Sequence, residues 1–127
     1  MIVVAAAVVE RDGRYLVTER GAGAHLAGLW EFPGGKCERG ESIAACLARE
    51  IREELDVEIQ VLEELLRTTH EYSDRRIELH FVRCRLLGEP KPQLGQRMRW
   101  TPWEQLAELD FPPADAELIR RLTARRP

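Results

Sequence analysis

The chain has 127 residues, a length that predicts one domain spanning residues 1–127 with room for a proper core. Hydrophobic residues make up 44% of the chain and charged residues 32%, which is typical of a soluble globular protein. The net charge of −3 (19 basic minus 22 acidic residues) gives no global field that would attract a nucleic-acid polymer. The apolar run Ile2–Val9 lacks a basic leader and is too short to span a membrane, so it predicts a buried strand.

The first half of the chain predicts strands at residues 2–10 and 15–20 and a loop at residues 21–28. A short extended piece follows at residues 30–32 and a helix at residues 42–55. Asp12-Gly13 is a hairpin signal that joins the two strands. Pro33-Gly34-Gly35 requires a turn before the helix. The helix has an apolar stripe at i, i+4 spacing, formed by Ile43, Leu47, Ile51 and Leu55.

The second half predicts strands at residues 57–69, 77–86 and 97–100, with a two-proline loop at residues 87–96. A short helix is predicted from residue 101 and a last helix at residues 114–124. Thr101-Pro102-Trp103-Glu104 is a capping box with proline at the first helical position, so the short helix is expected to begin there. Together these elements predict an α/β protein whose mixed sheet has helices on its faces.

The three cysteines are an odd number and contain no CxxC pair: Cys37, Cys46 and Cys84. This pattern favours reduced thiols in a cytosol over a disulfide or a metal site.

Three glutamates near the end of the predicted helix are the most informative feature. Glu50, Glu53 and Glu54 have i, i+3, i+4 spacing and point to one side. Like charges four residues apart destabilise a helix by roughly 0.2–0.5 kcal/mol, and the negative end of the macrodipole adds to that cost. A bound divalent cation would reverse both effects, and such oxygen ligands suit Mg²⁺ or Mn²⁺. The alternative is a solvated acidic face that Arg49 and Arg52 partly neutralise.

Residues 35–57 resemble the Nudix box: Gly, five residues, Glu, seven residues, Arg-Glu, an aliphatic, any residue, Glu-Glu, any residue, Gly, an aliphatic. The matching positions are Gly35, Glu41, Arg49, Glu50, Ile51, Glu53, Glu54 and Val57. Asp56 stands where the family has Gly, at a helix end that is commonly left-handed and that Asp tolerates. Residues 29–36 and 110–114 resemble the nucleotide-sanitising MutT-like branch of the family, so the resemblance covers nearly the whole chain.

The resemblance implies an α/β/α Nudix fold and Mg²⁺-dependent hydrolysis, with Mn²⁺ as an alternative ion, of a nucleoside triphosphate to a monophosphate and pyrophosphate. The implied metal ligands are Glu50, Glu53, Glu54 and the Gly34 carbonyl. Glu53 is the candidate for assisting the attacking water, and a Glu41–Arg49 pair is expected to orient the catalytic glutamate. Leu94 is a departure, because MutT-like proteins often place a further metal-binding glutamate there; the nearby Glu89 is the candidate substitute.

The resemblance also implies a set of substrate-binding residues: Arg20, His25, Glu31, Phe32, Pro33, Gly34 and Asp115. Trp30 and Trp103 are expected to pack in the core rather than to stack on a base. An ionised Asp115 only accepts hydrogen bonds, whereas a buried, protonated one also donates. Because the segments that flank the pocket match the MutT-like branch, the resemblance implies 8-oxo-dGTP or a related modified nucleotide as substrate; a cytidine-type triphosphate is the alternative, since the relatives that hydrolyse cytidine nucleotides carry Asp at this position. A third possibility for Asp115 is that it only caps the last helix.

Other readings stay open at this point. Leu94 favours a Nudix-fold binding module with little turnover, and a hydrolase of dinucleotides or sugar diphosphates is a further alternative. The expected partners are a small nucleotide, with no nucleic-acid polymer and no membrane, in a cytoplasmic monomer or homodimer.

Overall fold

The computed structural model describes residues 1–21 and 27–124. Eight strands and two α-helices follow one another in this part of the chain: β1 (Ile2–Val8), β2 (Glu10–Arg11), β3 (Arg14–Glu19), β4 (Trp30–Glu31), β5 (Gly34–Lys36), α1 (Ile43–Leu55), β6 (Ile59–Glu71), β7 (Arg76–Leu86), β8 (Met98–Pro102) and α2 (Ala116–Leu122). Two 3₁₀ turns, at Trp103–Glu108 and Pro113–Asp115, lie between β8 and α2.

The strands form two four-stranded sheets. The first has the order β5-β1-β7-β6, with β1 parallel to β7 and antiparallel to β5, and in the second β3 pairs with β2, β4 and β8. Side chains alternate along β1, so Ala5 and Ala7 face the cluster that contains α1, while Ala6 and Val8 face the cluster that contains α2. The predicted α/β class, with a mixed sheet between helices, is confirmed.

Helix α1 is bounded by two local signals, of which the sequence predicted the one at Asp56. The Ser42 hydroxyl accepts a hydrogen bond from the Ala45 N–H at 3.1 Å, which caps the first turn. Asp56 ends the helix in the left-handed region, with φ 50° and ψ 47°, and its N–H donates to the Arg52 carbonyl. The buried face consists of Cys46, Leu47, Ile51 and Leu55.

The predicted capping box at Thr101 is wrong. Strand β8 continues through Pro102, and Thr101 lies opposite Tyr15 of β3 instead of capping a helix. Within the described residues, the buried Thr101 hydroxyl oxygen has no hydrogen-bond partner. The ladder with β3 therefore overrides the local helix signal, and the turn that follows is a 3₁₀ helix.

The expectation of reduced cysteines is also wrong for two of the three. Cys37 and Cys46 form a disulfide with a Cα–Cα distance of 5.2 Å. Residues 38–42 fold back, so the loop after β5 meets the buried face of α1. This fold brings together two cysteines that are only nine residues apart in the sequence. Cys84 is a buried free thiol.

The helices are too short or too polar to cross a membrane, as judged over residues 1–21 and 27–124.

Asp56→Gly should stabilise the protein. A left-handed conformation costs a non-glycine residue about 1–2 kcal/mol, which glycine avoids. The greater conformational freedom of glycine in the unfolded chain offsets roughly 0.5–1 kcal/mol of that gain. We expect a net gain of about 0.5–1 kcal/mol in the free energy of unfolding, measured by urea denaturation. Gly40→Ala is the matched opposite change, because Gly40 has φ +80° and open space around it, and it should destabilise. A loss of stability in Asp56→Gly would contradict this account of the helix end.

Candidate active site

A cavity of about 630 Å³ opens against the first sheet. Its polar wall includes Glu50 and Glu54 of α1 with Gly34 and Gly35 of β5. Its apolar wall consists of Ile2, Val4, Ala6, Phe32, Ile77, Leu79 and Phe81. Acidic groups thus share one cavity with a surface that suits a planar apolar group.

Glu50 is held at the cavity by an arginine and by a glycine. Its Oε1 accepts a hydrogen bond from Arg49 Nη1 at 2.8 Å. The backbone of Gly35 lies so close that a Cβ there would come within 2.5 Å of the Glu50 Cδ. The absence of a side chain at residue 35 therefore creates the space that the carboxylate occupies.

Glu54 lies one helical turn further along. Burial raises the pKa of its carboxyl to about 8, and the neighbouring charges of Glu31 and Glu50 raise it further, while a backbone hydrogen bond from Gly34 opposes them. The turn at Gly34 thus brings backbone to the end of the helix, as the sequence predicted.

Arg49 clamps the loop after β5 to α1. Its Nε and Nη2 donate to the two carboxylate oxygens of Glu41 at 2.8 and 2.9 Å. Nη2 also donates to the Lys36 carbonyl at 3.1 Å. The hydrogen bonds that Arg49 donates lower the pKa of Glu41 to about 2, and donating to Glu41 and Glu50 raises the pKa of Arg49. The predicted Glu41–Arg49 pair is confirmed, and we call this set of contacts the Arg49 clamp.

Glu53 lies beside the other two glutamates but is more exposed: the same Arg49 nitrogen contacts Glu50 and Glu53, and the Glu53 charge contributes to the raised pKa of Glu54. The Glu53 side chain is 58% exposed, and its carboxylate is 3.5 Å from Arg49 Nη1. It is not among the described residues that line the cavity. Glu53 therefore lies on the side of α1 that the helical spacing predicts, at its exposed edge.

The donor set suits a hard divalent cation. Glu50 and Glu54 are partly buried carboxylates that repel each other, and the Gly34 backbone meets the second of them. Leu94, at 71% exposure, lies with Glu54 and Glu31 in an adjoining cleft of about 270 Å³ and offers no ligand atom. Glu89 instead pairs with Arg11 at 3.1 Å and lies outside both clefts in the described chain.

Arg20 and Glu31 meet at the border between the cavity and the cleft. Arg20 Nη1 is 2.5 Å from Glu31 Oε2. Burial raises the pKa of Glu31, and Arg20 opposes that rise. Both residues line the cavity as predicted, whereas His25 lies outside the described residues.

Asp115 is a buried carboxyl in the cavity wall, with 6% exposure. Burial raises its pKa to about 7; Glu31 adds to the rise and Arg20 opposes it. The helix-cap alternative fails, because in the described chain its side chain makes no capping hydrogen bond to α2.

Aromatic packing fixes the segment that carries Asp115. Phe32 stacks on Phe111 with centroids 5.4 Å apart and meets Phe81 edge-on at 6.2 Å. The Trp30 N–H donates to the Asp110 carbonyl at 2.8 Å, which docks the same segment on β4. Trp30 and Trp103 pack in or against the core, as expected.

Pro33 was predicted to bind substrate but lies fully buried outside the cavity lining of the described residues. Its carbonyl accepts the Ala7 N–H at 2.7 Å, which joins the turn to β1.

Sequence reasoning missed the wall formed by β1 and β7 and the hairpin tip beyond it. Val4 and Leu79 are direct partners in the parallel pair, and both line the cavity. His70, Tyr72 and Arg75 reach it from the β6–β7 hairpin. The alternation of Ile77, Leu79 and Phe81 was the available signal, since every second residue of a strand shares a face.

Comparison with known proteins agrees with this geometry. A family model described as a NUDIX domain matches residues 4–121. The CTP pyrophosphohydrolase of Escherichia coli (strain K12) is 39% identical over 127 residues, which cover 99% of this chain and 94% of the relative. The 8-oxo-dGTP diphosphatase of the same strain is 37% identical over 112 residues, 87% of each chain.

Solved structures give the same result. The solution structure of the E. coli ORF135 protein has a TM-score of 0.87 at 40% identity and covers 100% of this chain and 94% of that chain. The MutT protein of Methanosarcina mazei Go1 has a TM-score of 0.84 at 20% identity, with 95% and 91% covered, which supports the fold alone. Because the family model spans residues 4–121 and relatives over 35% identical cover most of the chain, this protein belongs to the Nudix hydrolase family.

Proposed function

We propose that this chain is a single-domain, Mg²⁺-dependent nucleoside triphosphate pyrophosphohydrolase that removes modified nucleotides from the cytoplasmic precursor pool. The observation that carries the proposal is one cavity of about 630 Å³ that joins Glu50 and Glu54 to an apolar wall and a buried Asp115. The triphosphate would lie at the glutamates and the base at Asp115. Such a cavity suits a small nucleotide rather than a nucleic-acid polymer.

The reaction is attack of water on a phosphorus of the triphosphate, with a new P–O bond to water and cleavage of a phosphoanhydride bond. A divalent ion, Mg²⁺ or Mn²⁺, supplies charge neutralisation at the phosphate oxygens and acidification of water when bound. Glu50, Glu53, Glu54 and the Gly34 carbonyl would hold it. Glu53 would take the proton from the attacking water, since its exposed carboxylate is open to solvent beside the clamp. Arg49 and Glu41 keep Glu50 in position.

The protonated form of Asp115 can recognise an oxidised purine by hydrogen bonds. A neutral carboxyl offers one donor and one acceptor side by side. 8-Oxoguanine presents an N7–H donor next to the O6 acceptor, which is the complementary order. Unmodified guanine presents two acceptors there, N7 and O6, and leaves the Asp115 acceptor unpaired. This supports 8-oxo-dGTP as substrate, with Arg20 and Phe32 on the nucleotide.

A cytidine-type triphosphate is a second candidate, supported by the same carboxyl. Cytosine presents its amine as donor beside the N3 acceptor, so neutral Asp115 pairs with it equally well. The E. coli CTP pyrophosphohydrolase, at 39% identity, supports this candidate too. Pyrophosphate release from 8-oxo-dGTP, dGTP, CTP, dCTP, 5-methyl-dCTP and ADP-ribose tests the whole proposal. No release from any of them would overturn it.

Glu53→Gln should lower kcat by about 100-fold or more with 8-oxo-dGTP, because proton transfer typically contributes 10²–10⁴-fold. Glu58→Gln is a control that makes the same change at an exposed glutamate just beyond α1, paired with Arg52. Both variants should keep the wild-type circular dichroism spectrum. Near-normal turnover by Glu53→Gln would remove Glu53 from the chemistry.

Gly35→Ala should impair catalysis while the fold survives. The added Cβ would displace the Glu50 carboxylate, the mobile end of a side chain, and misplacement by about 1 Å can cost 10²-fold in rate. The free energy of unfolding should change by about 1 kcal/mol or less. Gly34→Ala is the contrast, because its Cβ would overlap the Ala5 carbonyl and lie 2.8 Å from Ala6 Cα, so it should destabilise by about 3 kcal/mol. Equal stability losses in the two variants would contradict this division.

Asp115→Asn tests whether Asp115 recognises the base, through the pH dependence of substrate preference. Because the pKa of Asp115 is raised to about 7, the donor is present below pH 7 and is lost as pH rises through 7. The wild-type preference for 8-oxo-dGTP over dGTP should therefore fall by about tenfold between pH 6 and pH 8, the cost of roughly one hydrogen bond. Asn both donates and accepts at every pH, so the variant should lack this fall. Asp110→Asn, an exposed neighbour, is the control and should follow the wild type.

A further inference from the structure

The Cys37–Cys46 bridge is not used by the proposed reaction, yet it joins the two segments that build the site. Cys37 follows Lys36 at the end of β5 and is partly exposed, whereas Cys46 lies on α1 and is 0% exposed. The Cα–Cα distance is 5.2 Å. Cys37 is thus the member of the pair nearer to solvent, and Cys46 is shielded in the core.

The bridge lies directly against the groups that place Glu50. Cys46 precedes Glu50 by four residues, so both side chains share one face of α1. The Cys46 sulfur is 3.7 Å from the Gly35 carbonyl, and Gly35 is the residue whose missing side chain makes room for Glu50. The donor atoms of Cys37, Cys46 and Glu41 all lie within 4.8 Å of one another.

The bridge and the Arg49 clamp fasten the same loop to the same helix. The clamp holds the Lys36 carbonyl and Glu41, which lie on either side of Cys37 in the chain. The two fastenings therefore act in parallel: with the bridge closed the loop has two attachments, and with it open only the ionic one remains.

We propose that Cys37 and Cys46 are a reversible thiol–disulfide site whose closed form holds the loop after β5 against α1 and so fixes Glu50. Closure forms one S–S bond and gives two protons and two electrons to an external disulfide, which becomes two thiols. In opening, an external thiolate attacks the Cys37 sulfur, and Cys46 leaves as a thiolate and is protonated. A second external thiol then attacks the mixed disulfide and releases Cys37. The expected effect of the bridge on turnover rests on the proposed function, whereas the reversible formation of the bridge does not.

A thiolate metal site is the competing use of the same atoms. Glu41 argues against it, because its oxygens already accept hydrogen bonds from Arg49 and from the Glu38 N–H. An ion at Cys37, Cys46 and Glu41 would have to break the clamp.

The first test counts thiols on the full chain. The protein is equilibrated in reduced and oxidised glutathione mixtures, denatured with an alkylating reagent and weighed by mass spectrometry. We expect three alkylated cysteines under reducing conditions and one, Cys84, under oxidising conditions, with the change reversed by dithiothreitol. Three alkylated cysteines in every mixture, or reduced protein that retains one Zn²⁺ per chain, would overturn the proposal.

The second test measures coupling to the clamp by thermal unfolding, which does not depend on turnover. Reduction should lower the midpoint by about 5 °C or more in the wild type and by a larger amount in Glu41→Gln, where the parallel fastening is weakened. Cys37→Ser should show no response to redox state, and Cys84→Ala should respond as the wild type does. Equal shifts in the wild type and Glu41→Gln would refute the coupling.

The third measurement is pyrophosphate release from 8-oxo-dGTP by the wild type and Cys37→Ser. We expect kcat/KM to fall by about threefold or more on reduction of the wild type, and Cys37→Ser to stay at the reduced level in both conditions. Turnover that ignores redox state while the bridge opens and closes would refute the effect on Glu50. Absence of turnover in both states would count against the proposed function, and the first two tests would still decide the bridge.

Discussion

The site depends on the contact between Arg49 and three acceptors from separate segments: Glu41, the Lys36 carbonyl and Glu50. The loop after β5 contains exposed residues and a glycine with φ +80°, so apart from the Cys37–Cys46 bridge it depends on Arg49 for its attachment to the helix. One guanidinium supplies a planar set of donors that fits the Glu41 carboxylate with two parallel bonds. A lysine at residue 49 would offer a point charge and lose that geometry. The position of Glu50 at the cavity follows from this one side chain and from the space left by Gly35.

Charge is the second constraint, because the cavity gathers more acid than base. Glu31 raises the pKa of both Glu54 and Asp115, and Arg20 is paired with Glu31 at 2.5 Å. The carboxyls of Glu31, Glu54 and Asp115 therefore do not titrate independently, and the protonation of one changes the field felt by the others. Burying such groups costs stability unless a proton or a cation is taken up. The arrangement is better explained by function than by stability, which agrees with the repulsion expected from the helical spacing of the glutamates.

The sequence predicted what is encoded locally and missed what is formed by distant pairing. The left-handed helix end at Asp56 and the Glu41–Arg49 pair were predicted correctly, since both depend on residues within a few turns of chain. The cavity wall of Val4 and Leu79 was missed, because alternation marks a shared face of one strand but does not tell which strand, 75 residues away, pairs with it. Thr101 was predicted to cap a helix, but it pairs with β3 instead, because the strand ladder outweighs the local helix signal. The disulfide was missed because the rule applied to cysteines concerned CxxC spacing, whereas the folding of residues 38–42 back onto α1 brings Cys37 to Cys46.

Hydrogen bonding at Asp115 narrows the question of base choice without answering it alone. A neutral carboxyl distinguishes 8-oxoguanine from guanine, because guanine lacks the donor at N7. It does not distinguish 8-oxoguanine from cytosine, because both present a donor beside an acceptor. That choice must depend on shape, and the rigid elements nearby are Phe32, stacked on Phe111, and the β-sheet surface at Leu79. A purine covers more of such an apolar wall than a pyrimidine does, and buried apolar area contributes roughly 25 cal/mol per Å². The extra contact area is the physical ground for proposing 8-oxo-dGTP ahead of a cytidine-type triphosphate.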